Sequence, residues 1–182
     1  MSSLGATYLD SAIKRLLTYK TLGERTFAQL EEKDFHFTPN EESNSIAVII
    51  RHLHGNMLSR WTNFLTEDGE KPDRDRDTEF TAPVLGKEAL VALWEEGWGR
   101  LLSALGALTE ADLQKTITIR HEPLIVVDAI NRQLAHYPHH VGQIVYIGKM
   151  IRDGAWKSLS IPKGASRDFN RRMKEENGKG GL

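Results

Sequence analysis

Apolar residues recur at steps of three and four along four segments of the chain, which is the period of the buried face of a helix. The first segment predicts a helix from about residue 6 to residue 33. Pro39 then interrupts the chain, and the serine and asparagine residues at 43–45 are candidate N-caps for a second helix over about 45–66. Both predicted helices therefore present one apolar face to a common core.

The second half of the chain repeats this pattern. Leu90, Trp94 and Leu101 mark the core face of a third predicted helix, in which two central glycines weaken the helical propensity. A fourth helix begins near Val127, where apolar or small residues keep a heptad-like register as far as residue 151. Between the second and third helices, the charged segment "TEDGEKPDRDRDTEF" predicts a long loop that no helix crosses.

The connections complete the predicted architecture. Thr116–Ile119 alternates as a short strand does, and Glu122–Pro123 predicts a turn back, so a small hairpin is expected before the fourth helix. Four long helices with mostly short connections predict an all-α fold, an antiparallel four-helix bundle. We assign residues 1–160 to this bundle and residues 161–182 to a polar tail with a short helix over 166–176.

The composition excludes several classes of function. The 24 Lys and Arg against 25 Asp and Glu give a formal net charge of -1, which disfavours nucleic-acid binding. No run approaches the roughly 18 apolar residues of a membrane span, and the first residues do not resemble a signal peptide, so we expect a cytoplasmic protein without membrane association. Without cysteine, the chain must hold any metal through nitrogen and oxygen.

The segment "LAHYPHHVGQI", residues 134–144, contains three of the seven histidines within five consecutive positions. His136 and His140 are one helical turn apart, so they project from one face about 6 Å apart along the axis. This spacing can clamp one metal ion. Gln133 and Gln143 extend the same line and could orient the ligands or contact a substrate.

The second predicted helix supplies the third candidate ligand. His52 lies at the edge of its buried stripe, whereas His54 points about 200° away, so His52 is the better candidate. Pro138 supports a functional interpretation, because a proline inside a helix costs roughly 3 kcal/mol and such violations tend to collect at functional sites. The alternative is that the three are surface histidines or core histidines with satisfied hydrogen bonds.

The remaining singled-out residues receive structural interpretations. The apolar register places His140 beside the core and His139 toward solvent. His36 and His121 are interpreted as ordinary loop histidines, and the acidic and basic residues of 66–80 as a solvated loop. The two tryptophans of the third helix are interpreted as core or interface aromatics.

The two histidine motifs together resemble those of a known superfamily. "SIAVIIRHLHGN", followed some 80 residues later by "LAHYPHHVGQI", is similar to an uncharacterised branch of the DinB/YfiT-like superfamily. The resemblance implies a four-helix bundle, frequent dimers, and a divalent ion such as zinc or nickel held by His52, His136 and His140. Its better-understood relatives are transferases and isomerases that use low-molecular-weight thiols such as bacillithiol or mycothiol.

Three neutral imidazoles leave an open position on a divalent ion, as catalytic sites do. We therefore predict a metal-dependent enzyme that acts on a small molecule, either a thiol-dependent S-transferase or a metal-water hydrolase. The resemblance, together with a tryptophan-bearing third helix that a four-helix core is not expected to cover fully, also predicts a homodimer. No carboxylate has the spacing of a general base, so no catalytic residue is assigned. The loop from Glu67 to Phe80 is expected to pack near the metal site or the dimer edge. The alternatives are a binding protein without turnover and a bundle that serves dimerisation.

Overall fold

The computed structural model describes residues 3–81 and 84–178. Over these ranges the chain is mostly helical, with one two-stranded antiparallel hairpin. The elements are α1 (Leu4–Phe27), α2 (Ile46–Trp61), α3 (Thr78–Thr81), α4 (Lys87–Gly106), β1 (Thr116–Ile119), β2 (Glu122–Ile125), α5 (Val126–Arg152) and α6 (Ser166–Gly178). Short 3-10 helices cover Glu32–His36, Glu110–Asp112 and Asp153–Ala155. None of these helices is both long and apolar enough to cross a membrane.

The four predicted helices correspond to α1, α2, α4 and α5, and two of them end earlier than expected. The first ends at Phe27, because Glu31 is extended and caps a separate 3-10 helix with Asp34. The second ends at Trp61, because Asn63 adopts a positive φ of 49° that a right-handed helix cannot contain. Asparagine tolerates this conformation, which starts the path of the long loop.

Helix α2 has two unlike neighbours. It packs extensively along α4 and much less along α5, while α1 packs mainly along α5. Gly97 does not interrupt α4 but brings it close to α2, since a Cβ there would lie 3.2 Å from the Cα of His54 and 3.2 Å from Sδ of Met57. The closer packing on the α4 side leaves room between α2 and α5.

The tryptophans of α4 belong to the core. Trp94 and Trp98 are 1% and 0% exposed, and the ring of Trp94 meets that of Phe27 edge-on at 5.0 Å between centroids. An uncovered tryptophan face on this helix was one of the grounds for expecting a dimer, and that ground is wrong, because the chain's own core covers both rings. The dimer itself stays a prediction.

The hairpin and the terminal helix agree with the sequence pattern. Thr116 pairs with Ile125 and Ile119 with Glu122, so the predicted hairpin is confirmed. The predicted helix near the C-terminus is α6, while the domain boundary at residue 160 stays a prediction. Residues 179–182 of the predicted tail lie outside the described residues. The loop between α2 and α4 contains one element that the sequence did not predict, the single helical turn α3.

Candidate metal centre

The three predicted histidines come together between α2 and α5. His52 projects from α2, and His136 and His140 project one turn apart from α5. Their ligand atoms all lie within 4.8 Å of one another, and the group could hold a metal ion. His136 Nε2 lies 3.1 Å from His140 Nε2 and 3.4 Å from His52 Nε2.

These separations match those of imidazoles that share an ion. Two nitrogens bound to one zinc ion at about 2.0–2.1 Å and at tetrahedral angles are roughly 3.3 Å apart. The Nε2 atom of His136 lies close to this distance from both of its neighbours. The continuous helix α5, which contains Pro138, therefore keeps its two histidines in the register that the four-residue spacing predicts.

A buried carboxylate fixes the tautomer of His52. The Nδ1–H of His52 donates to Oε2 of Glu79 at 2.9 Å, and both side chains are buried. Because an ionised carboxylate only accepts hydrogen bonds, Nδ1 carries a proton, and in the neutral ring this leaves the lone pair on Nε2. This is the carboxylate–histidine arrangement that orients imidazole ligands in metal sites.

Two glutamines fix the tautomers of the two histidines of α5. The Nδ1–H of His136 donates to Oε1 of Gln133 at 3.2 Å, and the Nδ1–H of His140 donates to Oε1 of Gln143 at 2.8 Å. The predicted orienting role of both glutamines is therefore supported by these hydrogen bonds. With Nδ1 as the donor in each neutral ring, all three Nε2 atoms carry lone pairs, and the ligand atoms of the three rings lie within 4.8 Å of one another.

Burial favours the neutral form of the two histidines of α5. Desolvation is the largest cause that lowers the pKa of His136 to about 3, and the neighbouring rings of His140 and His52 add to it. Burial also lowers the pKa of His140. Neutral rings are the form that binds a metal ion. Two lone pairs 3.1 Å apart cannot hydrogen-bond to each other, whereas a cation placed between them would be stabilised by both.

Glu79 is the functional residue that sequence reasoning missed. It lies 27 residues after His52, in the loop, and α3 turns its carboxylate inward. Arg74 donates to Oε1 through Nε at 2.8 Å and to Oε2 through Nη2 at 3.2 Å. Although burial opposes ionisation, these hydrogen bonds and the one from His52 lower the pKa of Glu79 below its usual value.

The charges of the loop had indicated a solvated segment, and most of its residues are indeed exposed, but the side chains of Arg74 and Glu79 beside the cluster are not. Arg74 and Glu79 have side chains only 6% and 8% exposed, and the ring of Phe80 lies 5.9 Å from that of His52. The expectation that this segment packs near the candidate site is confirmed. The sequence signal that could have drawn attention to Glu79 is its neighbour Phe80, an aromatic residue at the end of a charged segment.

The other four histidines contribute no ligand atom to this group, although the ring of His139 lies 5.3 Å from that of His140. His54 forms a 2.9 Å contact with Glu96 of α4, on the opposite side of α2. His139 is exposed and contacts the amide of Gln143, so the predicted distinction between the adjacent histidines is confirmed in position. His36 contacts the carbonyl of Leu85 at 3.0 Å, and His121 lies in the hairpin turn.

A cavity of about 500 Å³ opens at the cluster, and all three histidines line it. Its walls come from α2, α5, the loop and the hairpin turn. Asn56 forms part of the wall, and beneath it the buried Tyr137 hydroxyl donates to Asn56 Oδ1 and accepts from Trp61 Nε1, each at 3.0 Å. These bonds tie α5 to α2 directly below the site.

Three imidazoles from two helices, each hydrogen-bonded through Nδ1 and all lining one cavity, define the class as a helical protein with a candidate metal centre. The chain belongs to the family described as "Protein of unknown function (DUF1572)", whose sequence model matches residues 3–165. The match includes the three histidines and Glu79. No curated protein and no solved structure matches the chain.

Proposed function

We propose that the protein is a divalent-metal-dependent enzyme in which His52, His136 and His140 hold one ion. The observation that carries the proposal is the grouping of three imidazole ligand atoms within 4.8 Å of one another at the wall of a cavity. Each opposite ring nitrogen donates to an acceptor, which fixes the tautomer that metal binding requires.

The donor set favours zinc or nickel, because imidazole nitrogen suits both ions. Three protein ligands would leave at least one coordination position open, and the cavity that the histidines line has room for a substrate beside them. A divalent ion at this place would lower the pKa of a coordinated water or thiol and so supply a nucleophile near neutral pH. A closed structural site would use a fourth protein ligand instead.

The chain's own residues position the reactants. Among the described residues, no aspartate or glutamate lines the cavity, and both oxygens of Glu79 are occupied by His52 and Arg74. Glu79 is therefore a positioning residue. The resemblance to DinB/YfiT-like proteins favours S-transfer: the sulfur of an external thiol bonds to an electrophilic carbon, the leaving group departs with its electron pair, and the thiol proton passes to solvent. Hydrolysis by coordinated water is the alternative.

The superfamily assignment also belongs to this proposal. We place the chain in an uncharacterised branch of the DinB/YfiT-like superfamily, with α1, α2, α4 and α5 as an antiparallel four-helix bundle and with a homodimer as its assembly. The lengths of these four helices and the short hairpin connection before α5 support the bundle. Light scattering that gives the mass of one 20.6 kDa chain across micromolar concentrations would contradict the dimer.

Metal analysis of two adjacent variants tests the site. After growth with added zinc and nickel, protein purified without a histidine tag should contain about one ion per chain, His140→Ala about none, and His139→Ala the wild-type amount. His139 is the matched control, because it neighbours His140 but is exposed. A metal-free wild type, or equal metal content in the two variants, would refute the proposed ligands.

A reaction screen tests the activity. Metal-loaded protein is offered low-molecular-weight thiols together with electrophilic acceptors, and the consumption of free thiol is followed. Turnover that disappears in His140→Ala supports S-transfer. Binding without turnover of any pair, or release of hydrolysis products without thiol, would exclude S-transfer as the reaction.

A further inference from the structure

Five arginines line the cavity above the candidate metal centre. They come from α2, from the loop, from the hairpin turn and from α5, and are Arg60, Arg74, Arg76, Arg120 and Arg132. No lysine or carboxylate of the described residues shares this lining. Such an accumulation of one charge is unusual in a chain whose net charge is only -1.

Two buried or half-buried carboxylates outside the lining form ion pairs with three of these arginines. Glu79 pairs with Arg74. Glu70 accepts from Arg60 and from Arg120, each at 2.7 Å. These three arginines hold the loop and the hairpin turn against α2. Their guanidinium groups are therefore already engaged in ion pairs that stabilise the fold.

Arg76 and Arg132 differ from these three arginines in their exposure and in their lack of a carboxylate partner among the described residues. Both are exposed, and neither forms an ion pair with an Asp or Glu in the described part of the chain. The guanidinium of Arg76 lies over the ring of Phe80, 5.4 Å from its centroid. Asp75 and Asp77 flank Arg76 in sequence, but they do not line the cavity, and Asp75 instead accepts from the backbone N–H groups that begin α3.

Both free guanidinium groups lie beside the histidine cluster. Arg132 is four residues before His136 on α5, which places the two side chains on the same face. Arg132 and His136 line the same cavity. Phe80, under the guanidinium of Arg76, is itself in ring contact with His52.

A divalent ion held by three histidines would make the cavity still more positive. Neutral imidazoles do not offset the charge of a divalent ion, so an ion at this site would add to the two uncompensated guanidinium groups. Guanidinium groups bind carboxylate and phosphate oxygens through paired hydrogen bonds. A concave wall of one charge concentrates ligands of the opposite charge. The volume of about 500 Å³ is that of a site for a small molecule.

We infer that the substrate or cosubstrate of this site is a small anion, whose carboxylate or phosphate group is bound by Arg76 and Arg132 while a second donor atom reaches the ion. This inference rests on the proposed metal site. It adds a specificity that three histidines alone do not supply: a charged tail at a fixed distance from the reacting atom.

The test uses three small thiols that differ in charge. 3-Mercaptopropionate is anionic, 2-mercaptoethanol neutral and cysteamine cationic, and each thiol can reach a bound ion. Titration into cobalt-loaded protein at fixed ionic strength is followed by the cobalt absorption spectrum. We expect 3-mercaptopropionate to bind about tenfold or more tightly than cysteamine.

The matched variants separate a cavity effect from net charge. R76Q/R132Q should reduce this preference to below about threefold, whereas R15Q/R167Q, which removes two exposed arginines elsewhere, should retain it. Because Arg76 and Arg132 are exposed, the folded content measured by circular dichroism should not change. Equal binding of the three thiols, or the same loss in both double variants, would overturn the inference.

Competition by acetate and by inorganic phosphate then distinguishes the two anions. The one that displaces 3-mercaptopropionate at lower concentration identifies the favoured group, and displacement by neither contradicts the arginine site. Cobalt stoichiometry is measured first. Failure to bind cobalt overturns the proposed function, and binding of inorganic phosphate to the metal-free wild type but not to R76Q/R132Q then still tests the anion site by itself.

Discussion

Helix α2 borders two regions that differ in almost every physical respect. On its α4 side the helices approach closely at Gly97, and aromatic side chains fill the space, with Trp94 and Trp98 fully buried. On its α5 side the helices are farther apart, and the gap holds histidines, arginines and a cavity. One region is apolar and densely packed, and the other is polar and open.

This difference separates the part of the molecule that stabilises the fold from the part that carries the candidate metal centre. A catalytic site needs side chains held in place by rigid elements. The packing of α2 against α4 fixes the backbone from which His52 projects, while the loop supplies Glu79 to orient its ring. The aromatic region should therefore determine stability, and the cavity region should determine metal binding.

The largest expected effect comes from the aromatic region. Trp94→Ala removes a fully buried indole that meets Phe27 and Trp98, and should lower the free energy of unfolding by roughly 3–5 kcal/mol. Urea denaturation followed by circular dichroism measures the change. The fraction that remains folded should still bind one ion per chain.

Tyr146→Ala is the control, since Tyr146 is 69% exposed and its loss should change stability by less than about 1 kcal/mol. If Trp94→Ala were no more destabilising than Tyr146→Ala, the division between a stability region and a metal region would be wrong. Loss of the ion from the folded Trp94→Ala protein would contradict it equally.

The sequence was sufficient to predict the helices, because each buries one apolar face with a regular period. The same regularity gave the histidines: four residues on one helix align His136 with His140, and the stripe edge selects His52 over His54. These predictions rest on positions within single helices, where local geometry determines direction. The hairpin was predictable for the same reason, from a local alternation.

What the sequence did not predict depends on the path of a loop. Glu79 reaches His52, and Arg76 reaches the cavity, only because the segment after α2 folds back over the site. Hydrogen bonds from Arg60 to Glu70 and to the carbonyl of Gly69 hold the segment there. No periodic pattern encodes such a path. The charges of "PDRDRD" therefore resembled a solvated surface, although Arg74 is buried.

The second prediction concerns Glu79, which joins the loop to the cluster. Glu79→Gln removes the negative charge that orients His52 and should weaken metal affinity by about 10- to 100-fold, as loss of a carboxylate behind a histidine ligand does. Competition with a chromophoric chelator measures the affinity, and full occupancy should return at higher metal concentration.

Glu96→Gln provides the matched control. Glu96 contacts His54 as Glu79 contacts His52, also at 2.9 Å, but on the side of α2 that faces away from the cluster. Its substitution should leave metal affinity unchanged within about twofold. Equal weakening by both substitutions would mean that charge near α2, rather than orientation of His52, governs the affinity.

The smallest expected effect is a pH dependence confined to the cavity region. Burial, together with the adjacent histidines, lowers the pKa of His136 to about 3, whereas an unfolded chain has an ordinary value of about 6.5. Above pH 6.5 neither state is protonated at this ring. As the pH falls below 6.5, the unfolded chain binds a proton that the folded protein does not, so stability is lost as the pH decreases toward 3.

Urea denaturation of metal-free protein at pH 7 and pH 5 tests this, because most carboxylates stay ionised over that interval. His136→Gln should lose less stability between the two pH values than the wild type, by about 1 kcal/mol once partial exposure of the ring is allowed for. Trp94→Phe should be less stable at both pH values yet keep the wild-type difference, since no titratable group is removed from the aromatic region. Equal pH dependence of His136→Gln and the wild type would show that the ring of His136 is protonated as readily in the folded protein as in the unfolded chain. The cluster would then be hydrated when metal-free, and its imidazoles would compete with protons for the ion near neutral pH.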